Sequence, residues 1–179
     1  TSLDSLEYRS LGFPGADLLG ISRSGELAIL SGSTVTSGGA YWRTGTLARA
    51  SLTGTAQRPE LEGVLFADYG PNNTLAVIRD DAHRRTMEYP VGHVLAEVPI
   101  VKGESGRGVR DFATPRVSPS GDYVALFDIR VPSAFRVKIF DRSGKLVTES
   151  RPFVDWWALA WTPSNEVWFA AAEVGGNQT

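Results

Sequence analysis

Apolar residues in this chain come in short unbroken runs, and each run is entered through a tight polar turn. GISRSGELAIL (20–30), DYGPNNTLAVI (68–78), RVSPSGDYVALF (116–127) and AWTPSNEVWFA (160–170) share one pattern: an apolar residue, a turn of Pro, Ser, Gly or Asn, then an apolar strand. Aligned on Gly25, Asn73, Gly121 and Asn165, the copies are 48, 48 and 44 residues apart. A run such as ELAIL or YVALF is apolar on both strand faces, so it predicts a strand covered from two sides.

The turn residues fit tight turns. Pro71, Pro119 and Pro163 preset φ for the first corner, and Gly25, Asn73, Gly121 and Asn165 tolerate positive φ at the other. A second strand pair follows in most copies. TLARASL (46–52) leads into the turn at 53–54, MEYPV (87–91) turns at 92–93 into VLAEV (94–98), and FRVKIFD (135–141) turns through RSGK into LVTES (146–150). Arg136 to Phe140 alternates polar and apolar, as a strand with one wet face does. No stretch of ten residues carries apolar positions at helical spacing without glycine or proline. The prediction is an all-β chain, a β-propeller of four-stranded antiparallel blades. About four blades fall in one domain over 1–179, with units 16–63, 64–111, 112–155 and an incomplete 156–179. The Gly/Ser-rich segments 31–45 and 101–115 show no clear strand and are expected as loops at one rim.

Composition narrows the function classes. The chain has 179 residues, 42% hydrophobic and 21% charged, with net charge -2. No basic excess points to nucleic acid or an anionic membrane. There is no cysteine, so disulfides and thiolate metal sites are excluded. No run of 18 apolar residues could cross a membrane as a helix. TSLDSLEYRSLGFPG lacks the basic and apolar regions of a signal peptide, and both ends read as the interior of a longer chain.

Candidate chemistry is sparse. A serine nucleophile would need Gly-x-Ser-x-Gly, and Gly20-Ile21-Ser22-Arg23-Ser24 fails at its last position. His83 and His93 sit in or beside turns and read as solvent-exposed. Asp80, Asp81 and His83 could suggest a metal, but Arg79, Arg84 and Arg85 beside them suggest a solvated hairpin tip; no metal and no cofactor are expected. Lys102, Arg107, Arg110 and Arg116 surround GESGRG, where arginine forks and glycine N–H groups suit an anion; a charged flexible loop is the competing reading. Tryptophan crowds DWWALAW. Trp161 and Trp168 are expected to pack between blades, while at least one of Trp156 and Trp157, both contact candidates, should face away from the core. Tyr41 and Trp42, in the first glycine-rich loop, are further contact candidates.

RVSPSGDYVALFD and LAWTPSNEVWFAA, with the earlier copies, resemble TolB-type, WD40-like propeller repeats. LGFPGADLLGISRSGELAIL, GTLARASLTG, LEGVLFADYGPNNTLAVIRD, MEYPVGHVLAE and PRVSPSGDYVALFD resemble the sensor propeller C-terminal to bacterial, notably acidobacterial, serine/threonine protein kinases. The likeness runs from about Arg9 to Ala172, with Tyr69-Gly70-Pro71-Asn72-Asn73 in place of the more typical Trp-Ser-Pro-Asp-Gly. The resemblance implies a non-catalytic sensor module in signal transduction, often beyond a membrane-spanning helix and so extracytoplasmic, with the cytosol left open. The glycine-rich loop, the His-Arg-Asp loop and Asp-Phe-Gly of kinases are absent, so this chain is expected not to be an enzyme. Its partner would be a protein or small molecule on one rim, through loops 36–44 and 102–110. The alternatives are the propeller part of a peptidase or hydrolase and a free-standing TolB-like scaffold. With fewer than four full units, the chain is expected to be part of a larger disc or to pair with a second copy through its terminal blades.

Overall fold

A computed structural model describes residues 10–35, 42–53, 56–81, 83–99 and 112–173. Tyr41, Lys102, Arg107 and Arg110, with most of loops 36–44 and 102–110, lie outside the described residues. Within them the chain is all-β and antiparallel. Its one helical element is the 3₁₀ turn Pro71–Asn73, and no helix there is long and apolar enough to cross a membrane.

Four hairpins recur. Each joins a first strand to an apolar second strand through a predicted turn: β1 (Asp17–Ile21) to β2 (Glu26–Val35), β4 (Gln57–Tyr69) to β5 (Leu75–Asp80), β8 (Phe112–Val117) to β9 (Tyr123–Asp128), and β12 (Asp155–Trp161) to β13 (Val167–Ala172). Outer strands follow the first three: β3 (Arg43–Ser51), then β6 (Arg84–Glu88) with β7 (Val94–Pro99), then β10 (Arg136–Asp141) with β11 (Leu146–Glu149). The apolar runs are thus second strands. The first strands are the residues before each turn, which the sequence pattern had left almost unread. Segment 31–45 is less loop-like than expected, because β2 extends to Val35 and β3 begins at Arg43; β8 likewise claims 112–115.

The same capping bond recurs in three copies, across a turn one residue longer in the 118–123 copy. The hydroxyl of Ser22, Ser118 or Thr162 accepts the N–H of Glu26, Tyr123 or Glu166 at 3.0–3.1 Å. Gly25, Asn73, Gly121 and Asn165 all have positive φ, between 57 and 81°. The second copy departs for a steric reason. A side chain on Gly70 would collide with the Tyr89 hydroxyl, Thr74 and Val117, so no serine fits there. Thr74 Oγ1 donates to the Pro71 carbonyl instead, at 2.7 Å.

Among the described residues the sheets have seven, four and two strands. The four-stranded sheet is β8 to β11. The seven-stranded one is two four-stranded groups sharing β4: its first half pairs β3, its second half pairs β5, and Gly63 at φ 73° joins them. The unit border expected at 63–64 falls inside this strand.

Alternate residues of each second strand face opposite neighbours. Leu75 and Val77 join Ala28 and Leu30 in one apolar cluster; Ala76 and Ile78 join Val124 and Leu126 in the next; Ala125 and Phe127 join Leu159 in a third. Leu27 and Ile29 are covered by Leu11, Phe13 and Ala16. The forward-facing positions Ala28, Leu30, Ala76, Ile78, Ala125 and Phe127 are at most 1% exposed. Their counterparts in β13 are Trp168 and Ala170, and Trp168 is 68% exposed, against the expectation that it packs between sheets. No described element covers that face.

Three hydrogen bonds between neighbouring copies span the same interval. Ser24 meets Asn73, Asp68 meets Val117 and His93 meets Arg142, each pair 49 residues apart. The first strands β1, β4, β8 and β12 therefore lie beside one another in chain order.

Candidate functional site

Where these four first strands end, their last residues and following turns surround a cleft of about 350 Å³. Ile21, Tyr69, Val117 and Trp161 occupy the same place in each copy, and all four line it. One position earlier the copies read Gly20, Asp68, Arg116 and Ala160. At the first turn corner Pro71 and Pro119 form rigid wall, and Arg23 stands where the other copies have proline.

The first strands leave a backbone edge unpaired on this side, and side chains close it. Asp68 Oδ2 accepts the Val117 N–H at 2.8 Å, and Trp161 Nε1 donates to the Arg116 carbonyl at 2.9 Å. Tyr123 stacks on Trp161 with ring centroids 6.5 Å apart. Burial pushes the Asp68 carboxyl above its usual value, opposed by the Val117 N–H and the charge of Arg116. Tyr69 is held far above the usual phenol range, by burial and then by Glu26, to which its hydroxyl donates at 3.2 Å. It therefore acts here as a neutral hydrogen-bonding group.

Arg116 also lines a second cavity of about 310 Å³, with Asp17, Arg43 and Thr114. The β8–β9 register slips between Ala113 and Arg116, and Thr114 sits there at φ 45°, an unusual conformation for a β-branched residue. Its buried hydroxyl has no hydrogen-bond partner. The irregularity changes the alternation along β8 just before Arg116.

Of the site residues expected from sequence, Arg116 alone among those described lines the cleft. It belongs to β8 and not to a loop. Trp42 packs edge-on against Phe66 at 5.6 Å, with the Arg85 guanidinium 5.9 Å from its ring centre. Trp156 packs on Phe127 at 5.0 Å, whereas Trp157, at a register irregularity, is 57% exposed. His83 and His93 are both exposed. Asp81 accepts the N–H groups of His83 and Arg84, and Asp80 binds the Arg85 fork. Arg23, Asp68, Tyr69 and Trp161 were missed as site residues. The signal existed: they are polar or aromatic departures in columns next to the turn, seen once the four copies are superposed.

No protein-family model matches the chain, and no curated protein does. Among solved structures, it is similar to a crystal structure of a protein of unknown function from Bacteroides caccae, with 12% identity and a TM-score of 0.47. The match covers 86% of this chain and 53% of that one, so the chain spans about half the length of that structure.

Proposed function

We propose that the chain is a non-catalytic recognition module made of propeller-type repeats, serving as the sensor region of a bacterial serine/threonine protein kinase, and that its ligand sits in the cleft where the four first strands end. The propeller part is supported by the recurring hairpin, its conserved turn bonds and the 49-residue interval between bonded neighbours. The kinase context and an extracytoplasmic setting rest on the resemblance of the repeat segments alone. In this reading the uncovered Trp168 face is where a further unit or a second copy would sit.

One observation carries the recognition role: the cleft combines two arginines, aromatic rings and proline walls, contributed by all four copies. Its described lining holds no histidine, and its one serine, Ser118, is engaged with Ser120 and the Tyr123 N–H, so it presents binding groups rather than an activated nucleophile. The test is a binding screen of peptides and small molecules by calorimetry, on wild type and Arg116→Ala. A binder whose affinity drops in the variant is the expected result. Binders that ignore Arg116→Ala would move recognition to another surface.

A further inference from the structure

The geometry points to a carboxylate-bearing ligand with an apolar or aromatic body as the occupant of the cleft. This rests on reading the cleft as the recognition site. It comes from where the protein leaves arginine forks unused. Among the described residues, every arginine except Arg23, Arg116 and Arg142 stands within ion-pair distance of a carboxylate. Arg142 lies over the Tyr89 ring. The other two both line this cleft. Arg116 donates to the Pro115 carbonyl at 2.9 Å, which occupies one of its five N–H donors.

The nearby acid, Asp68, feels the charge of Arg116 but does not occupy its fork. Asp68 Oδ2 is engaged by the Val117 N–H, and the Asp68 carboxylate forms no ion pair with Arg116. The cleft thus holds two guanidinium groups with no carboxylate in ion-pair distance among the described residues. A planar carboxylate matches the guanidinium fork with two parallel hydrogen bonds. The remaining lining, Ile21, Pro71, Val117, Pro119 and Trp161, offers apolar and aromatic surface for the body of the ligand. A cleft of about 350 Å³ is at the small end for ligand sites, which suits a single acid of modest size.

The test uses the ¹⁵N-labelled chain and follows the tryptophan indole N–H resonances, with that of Trp161 identified by Trp161→Phe. This reporter is bonded to the Arg116 carbonyl, so it senses the site directly. The probes are benzoate, inorganic phosphate and the neutral analogue benzyl alcohol. Benzoate should shift the Trp161 signal saturably. Arg116→Lys, which keeps the charge but loses the fork, should weaken benzoate about tenfold, as expected for a lost charge-assisted hydrogen bond. Arg23→Ala, on an exposed turn where refolding is not at issue, should weaken it severalfold. Benzyl alcohol binding as tightly as benzoate would overturn the carboxylate while leaving the cleft a recognition site. Phosphate binding as tightly would overturn the planar-acid class. Absence of any benzoate shift would overturn the inference outright. The recognition reading fails separately, when screened binders are indifferent to Arg116→Ala.

Discussion

Gly63 shows how much one residue can decide. It is at φ 73°, and a Cβ there would run into the Asp80 carbonyl. Gly63→Ala should therefore cost about 2 kcal/mol or more in urea unfolding, combining backbone strain with a steric clash. Asp68 gives a pH signature. Its native pKa is raised above 3.8, so the folded state holds that proton more tightly than the unfolded state. Stability from this group falls as pH rises from the unfolded value through the native one, and the cost is complete above it. Asp68→Asn keeps an acceptor for the Val117 N–H and removes the charge. The variant should be more stable than wild type at pH 7, with the difference vanishing below about pH 4 where aspartate is protonated anyway. Denaturant melts across pH 3–7 decide it; a difference that does not change with pH would refute the burial account. The positive-φ column was legible in sequence because only Gly and Asn meet that requirement cheaply. Asp68 was not, because its hydrogen-bond donor, the Val117 N–H, comes from 49 positions away.

Single strands are held by pairing and by buried polar links. Glu88, in β6, is the clearest link. It accepts from Arg79 on β5 at 2.6 Å, from Thr86 at 2.9 Å and from the Gly92 N–H at 2.8 Å. Burial pushes its carboxyl up, but these three donors outweigh it and leave the group below its usual value. The sign is opposite to that of Asp68: stability is present above the unfolded value and is lost as pH falls through the native one. Glu88→Gln should cost about 2 kcal/mol and Glu88→Ala about 3 kcal/mol, since Arg79 is partly solvated and only part of a buried-pair penalty applies. Both variants should also flatten the acid limb of the stability curve. The apolar runs announced β2, β5, β9 and β13. The first half of β4, QRPELEG, carried no such signal, because its residues are mostly exposed and it is a strand through pairing with β3.

For the whole molecule, the repeated faces are the organising fact. Each second strand hides its forward residues against the next copy until β13, whose Trp168 and Ala170 are exposed. A groove of about 610 Å³ lined by Leu11, Phe13, Leu18, Ile21, Leu27 and Ile29 lies at the first hairpin. Two apolar ends of this kind favour association. Light scattering should show mass rising with concentration, and Trp168→Ser should lower that rise while changing unfolding stability by less than about 0.5 kcal/mol, as for an exposed position. A wild-type mass that stays monomeric at every concentration would refute this account of the face.

Local chemistry alone set the recurring hairpins: positive φ at four corners, proline or hydroxyl caps beside them, and strands apolar on both sides. Those are properties of five to ten consecutive residues, so they can be read without coordinates. Tertiary packing alone decided that the ends of four first strands meet around one cleft, that Arg23 and Arg116 arrive there without acid partners, and that Trp168 stays outside. Each of these depends on which distant copy lies alongside, and a residue's neighbours 49 positions away leave no trace in its own local sequence.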